Sequence, residues 1–179
     1  MLNLKQRRRG FSLMELLIVI AIILIIITMA LPKFKSAMMH ARETSVLVAI
    51  KTIHAAETQY LSQYGRYAVS LAELGPPASG APSPNGADLI ETALAQGVKE
   101  QYRFTVTGVP GGYQVNANPE VYGSSGGMSF YSDQTMVIHV NYGPEPATAS
   151  SQEYGVAAAP GGAGGGAGGA APAPAPAKQ

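Results

Sequence analysis

The chain has no cysteine, so a disulfide brace, a thiol nucleophile and a cysteine-ligated metal are all excluded. That absence suits an exported protein and a cytosolic one equally, and leaves the compartment open. No acid precedes Phe11: all 11 lie beyond it, whereas Lys5, Arg7, Arg8 and Arg9 are 4 of the 12 cations. The rest of the chain is therefore net acidic, 8 cations against 11 acids, and the formal charge of +1 gives no reason to expect nucleic acid. Polar side chains are missing altogether from Leu16 to Ile27 (LLIVIAIILIII). No G-x-S-x-G elbow, Walker loop, H-E-x-x-H pair or acidic calcium loop occurs, so the sequence advertises no enzyme. Structural-module repeats are absent too.

What is present begins with a contrast. Three arginines stop at Gly10, Phe11 follows, a single acid stands at Glu15, and the apolar run continues to Leu31. As a helix rising ~1.5 Å per residue, Phe11 to Leu31 spans ~30 Å, the hydrocarbon thickness of a bilayer. The cationic flank keeps the amino terminus cytoplasmic under the positive-inside rule. Glu15 is the exception within the run. A carboxylate one turn into such a helix costs roughly 2.5–3.5 kcal/mol on insertion scales, less near the interface, and calls for a partner or a task.

Beyond Pro32, which removes one helical donor and predicts a kink or loosening over Thr28–Pro32, the helical pattern resumes. Val46, Ala49, Ile50, Ile53, Ala56, Tyr60 and Tyr64 recur at intervals of three and four among Arg42, Glu43, Lys51, Glu57 and Gln59. Gly65 is the predicted stop, giving one helix from Ser12 to about Tyr64, ~80 Å long. A short piece at Ser70–Leu74, a loop at Gly75–Gly86 and a helix at Ala87–Gln96 come next. The period then becomes two. Tyr102, Phe104 and Val106, followed by Tyr113, Val115 and Ala117, predict a hairpin turning through Gly108–Gly112. Met128–Tyr131 and Met136–Val140 predict two further strands around Ser132–Gln134. The fold class is α+β: a long helix, half apolar and half amphipathic, on a small antiparallel sheet of three to four strands.

The expected organisation is a basic leader (1–10), a membrane and polymerisation half-helix (11–31), an amphipathic half-helix (32–64), a small β-rich head (65–142) and a Gly/Ala/Pro-rich flexible tail (143–179). His40 and His54 are 14 residues apart on the helix, ~21 Å, too far for one metal ion. With His139 they are expected at the surface. Asp88, Glu91, Glu100, Glu120 and Asp133 are scattered, so no metal or cofactor is expected. Phe11, Phe34, Tyr60, Tyr64 and Tyr67 serve packing rather than electron conduction.

The run Arg9-Gly10-Phe11-Ser12-Leu13-Met14-Glu15-Leu16-Leu17 resembles the processing motif of type IV pilins and of the pseudopilins of type II secretion. Gly10, Phe11, Ser12, Leu13 and Glu15 match it element by element. The resemblance extends to about Tyr67, and the strands and the run Phe130–Gln134 are similar to those of cysteine-free pilin-like proteins. Many pilins close their carboxyl-terminal loop with a disulfide, which this chain cannot form. The resemblance implies cleavage between Gly10 and Phe11 on the cytoplasmic side by a prepilin peptidase, with N-methylation of Phe11. It further implies an assembly pair of Phe11 and Glu15 between neighbouring copies, and a helix-loosening Pro32. The implied function is a prepilin: single-pass in a bacterial inner membrane, then a pilus subunit. The implied partners are further copies of itself, other pilins and an inner-membrane assembly platform. One alternative is a type II secretion pseudopilin. Another, from a different class, is an anchored or secreted binding domain with an ordinary signal sequence, for which Thr28-Met29-Ala30 offers a small-x-small cleavage site.

Overall fold

The computed structural model describes residues 11–156. Helix α1 (Leu13–Tyr64) is unbroken across its 52 residues, about 78 Å, and passes through Pro32. It ends where glycine permits it to: Gly65 takes φ 72° and its N–H donates to the Leu61 carbonyl at 2.9 Å. A Cβ there would meet nothing within 4 Å. The cost of Gly65→Ala is thus conformational alone, and the variant is expected to lower head stability by about 1 kcal/mol in a thermal melt.

Past Gly65 the chain reverses into α2 (Leu71–Leu74) and α3 (Thr92–Ala95). The helix expected over Ala87–Gln96 is confined to four residues of its second half, Thr92–Ala95. Ala87, Asp88 and Leu89 donate their N–H groups to the carbonyls of Glu73, Gly75 and Leu74 (each 2.8 Å), and Asp88 takes φ 56°, so that stretch is spent pinning α2.

The sheet is an antiparallel meander in sequence order: β1 (Val98–Lys99), β2 (Tyr102–Val109), β3 (Gly112–Pro119), β4 (Ser129–Asp133), β5 (Ile138–Asn141) and β6 (Gln152–Glu153). The four strands foreseen are β2 to β5, and two-residue edge strands bring the total to six. In β2 the alternation is clean, with Tyr102, Phe104 and Val106 buried and Arg103, Thr105 and Thr107 exposed. The buried set meets Val46, Ile50, Ile53 and Tyr60 of α1, with Tyr113, Val115, Phe130 and Val140 closing one core.

The expected tail boundary at Gly143 is too early. Residues 143–156 are part of the head: Ala147 is buried, and the Glu145 carbonyl accepts from Ser129 Oγ (2.9 Å) and Asn141 Nδ2 (3.0 Å). The Asn116 amide reaches the Ala147 carbonyl at 3.3 Å, and β6 pairs with His139 and Val140. This cover on the second face is why Ser129 to Ser132 are buried in succession instead of alternating. The Gly/Ala/Pro run from Gly161 to Ala177 lies outside the described residues.

Candidate assembly site

Among the described residues, nothing covers the apolar half of α1. Every residue from Phe11 to Met38 is exposed, Phe11 at 82 %, and the helix is long and apolar enough to cross a membrane. Its start is loosely capped. Ser12 is extended, makes no side-chain cap, and accepts the Leu16 N–H through its carbonyl at 3.2 Å. Glu15 stands in the first turn, where the helix dipole favours an anion. Among the described residues it makes no ion pair. Phe11 and Glu15 are thus brought to one exposed helix end. Pro32, ~25 Å further along, is not part of that cluster, and Gly10 lies outside the described residues.

The amphipathic half holds, in its buried face, three polar side chains whose residue type predicts a solvated position. Glu43, His54 and Glu57 are all buried. For both acids the signal was in the spacing: Glu43, Val46, Ile50, Ile53, Glu57 and Tyr60 recur at three and four, in phase with the apolar stripe. His139 is half-buried, and only His40 is exposed as expected.

Each buried group ties the helix to a different part of the head. Glu43 Oε1 accepts the Gly127 N–H at 2.9 Å, and its Oε2 lies 3.2 Å from His40 Nδ1. His54 lies 2.9 Å from Ser132 Oγ through Nε2 and 2.6 Å from the Tyr113 hydroxyl through Nδ1. The Ser132 hydroxyl donates to the Val137 carbonyl at 2.7 Å, so it accepts from His54, and Nε2 carries the proton. Nδ1 then accepts from Tyr113. The ring is neutral in this arrangement, and burial pushes its pKa down against the raising influence of Asp133. Although Ser132 and His54 are adjacent, their atoms are consumed by this internal chain, and the serine is fully buried. The pair is a strut and not a nucleophile.

Glu57 Oε2 accepts the Ala68 N–H at 2.9 Å, clasping the chain just after its reversal at Gly65. Oε1 has no partner. Burial raises the carboxyl pKa to about 7. Glu73 adds to the rise, while the Ala68 N–H and Arg66 oppose it.

The geometry comes to a long exposed helix with one acid at its start, a second half buried on one face, and a small antiparallel head. Residues 5–31 match the family described as the prokaryotic N-terminal methylation motif. The chain is similar to the type IV major pilin protein PilA of Myxococcus xanthus (strain DK1622), at 33 % identity over 69 residues, 38 % of this chain and 31 % of that protein. The chain thus matches about a third of that relative's length. No solved structure matches. The motif and the relative both support the type IV pilin family.

Proposed function

We propose that this chain is a prepilin, cut between Gly10 and Phe11, N-methylated at Phe11, and assembled from the inner membrane into a type IV pilus through α1. The observation that carries this reading is the complete exposure of the helix from Phe11 to Met38, joined without a break to a half that anchors a folded head. Such a surface is stable in lipid or against like helices, and moving between the two costs little because both are apolar. A filament built this way exchanges one apolar solvent for another.

Cleavage exposes a cationic amine on Phe11. Within a dry bundle that charge needs an anion, and removing one partner of such a pair strands the other. Glu15 of a neighbouring copy supplies it and selects one stagger between helices that apolar packing leaves loose. Pro32 frees the Thr28 carbonyl from its helical donor and gives the packed helix a place to loosen.

Glu15→Gln is expected to slow filament assembly by about tenfold or more, the equivalent of roughly 1.4 kcal/mol or above. The check is pilus mass sheared from cells with equal amounts of membrane-held subunit. Assembly of the variant at the original rate would remove the pair from the mechanism. Mass spectrometry of the mature amino terminus tests processing separately: methyl-phenylalanine supports the reading, and an unmethylated residue after Ala30 overturns it. Loss of surface fibres on gene deletion supports a pilus, whereas an exoprotein trapped in the periplasm assigns the chain to the secretion pseudopilus instead.

A further inference from the structure

Between α1 and the segment just ahead of β4 lies a cleft of about 210 Å³, with Met39 and His40 on the helix side and Met128 on the other. The two walls come close because residue 127 is glycine. A Cβ there would lie 3.7 Å from both Glu43 Oε1 and the Met39 methyl. Met128, the next residue, is held at the cleft by its carbonyl, which accepts the Tyr102 hydroxyl at 2.9 Å.

The electrostatics of this cleft are unbalanced. Glu43 is 4 % exposed and both its oxygens are committed, Oε1 to the Gly127 N–H and Oε2 to His40 Nδ1. A carboxylate accepts and does not donate, so Nδ1 carries the ring proton and a neutral ring keeps its lone pair on Nε2. Among the described residues Nε2 makes no bond, and the His40 side chain is 74 % exposed. A carboxylate behind one ring nitrogen is the arrangement that orients a metal-binding histidine through the other. His40 is also the only basic group, among the described residues, within ion-pairing distance of Glu43. With the ring neutral the buried carboxylate lacks a counter-charge, which is costly. A proton on Nε2 is one remedy, and a monovalent metal ion there is the other.

The sulfur atoms decide which ion. Histidines and acids alone gave no reason to expect a metal, but Met39 and Met128 bring two thioethers to the same cleft as the imidazole. These are soft, uncharged donors that select copper(I) over zinc, calcium or magnesium. Met39 and His40 splay apart by ~100° around the helix, and Met128 approaches from the opposite wall. Two thioethers and one imidazole carry no charge, so a single positive ion offsets Glu43. His40 stands ~14 Å beyond Leu31 along the helix, outside the apolar run, where an ion arrives from water.

We propose that Met39, Met128 and Nε2 of His40 form a copper(I) site, with Glu43 as the positioning residue behind the histidine. The site stands independently of the filament reading.

The test uses the full chain purified in detergent without oxygen, titrated with copper(I) against a coloured chelator. A single ion per chain is expected, and X-ray absorption of the loaded chain should show sulfur neighbours. Met39→Leu and Met128→Leu preserve volume, so the head should melt as before while affinity falls about tenfold or more. Glu43→Gln keeps an acceptor for Gly127 and should weaken binding about tenfold, whereas Met14→Leu in the distant apolar half changes nothing. Affinity should also fall as pH drops, because protons compete for Nε2. Methionines that only fill a gap would let leucine replace both with copper(I) retained, and that result overturns the site. So does a copper spectrum with nitrogen and oxygen neighbours alone, zinc held as tightly as copper(I), or no copper(I) retained by the unmodified chain.

Discussion

Gly10→Val is expected to leave the chain uncut, held in the membrane and absent from any filament. Glycine has no side chain, and a branched one directly before the scissile bond obstructs close approach of a peptidase to the backbone. Two penalties then act on assembly. The nitrogen of Phe11 remains an amide, so Glu15 of a neighbour meets no cation and becomes an uncompensated charge inside an apolar bundle. The ten leader residues also stay attached, with Lys5, Arg7, Arg8 and Arg9 among them. Drawing four cations into or across hydrocarbon costs on the order of 2.5–3.5 kcal/mol for each on insertion scales, far more than helix packing returns. The expected result is total loss of filaments at normal subunit abundance, with membrane subunit heavier by the leader on a mass spectrum. Normal filaments of uncut chain would end the processing argument.

The second large effect concerns Glu57, and its direction follows from which state holds the proton. Its carboxyl ionises near the usual 4.5 in the unfolded chain and about 7 in the folded one. Between those values the native state binds more protons, so stability is fully present below pH 4.5 and drains away as pH rises to about 7. The loss over that window amounts to as much as about 3 kcal/mol. Facing Glu57 are Arg66 and Glu73 beyond the helix end and Tyr113 of β3. His54 acts with the opposite sign. Its lowered pKa contributes stability that is present above its ordinary value of 6.5 and is lost as pH falls below it. Glu57→Gln should therefore abolish the decline between pH 5 and 7.5 and leave acid sensitivity below 6.5 intact. Thermal melts of the full chain in detergent across pH 5–8 read both limbs. An unchanged decline in the glutamine variant would place its cause elsewhere.

The sequence made the helix and its polarity legible because each rests on local chemistry repeated many times. An apolar run sized to a bilayer, a three-and-four stripe and a terminal glycine all agree over Leu13–Tyr64. The β2–β3 hairpin was legible for the same reason, as Tyr102, Phe104 and Val106 alternate without exception. Failures came where tertiary bonds compete with local pattern. Ala87 to Leu89 read as helix until the carbonyls of α2 claim their N–H groups. The segment carrying Glu145 and Ala147 has no period, because it packs through backbone carbonyls and one small side chain. At the candidate site Phe11 and Glu15 are legible as sequence features, as is Pro32 further along the helix, and the roles proposed for them need a second molecule. Glu43, His54 and Glu57 were hidden by their own polarity, since burial depends on partners 11 to 84 residues away.

The sheet finishes at both sides in strands of two residues, Val98–Lys99 and Gln152–Glu153. Such stubs present too short a run of free peptide groups to template another chain, and three of their four residues are polar. Under the proposed reading, subunits crowded in one membrane would otherwise be at risk of joining edge to edge into cross-β aggregates, which do not dissolve again. In the filament proposed above, such blunted lateral margins would leave the helix as the direction of growth, so that a stored pool could stay dense and still be drawn on one copy at a time.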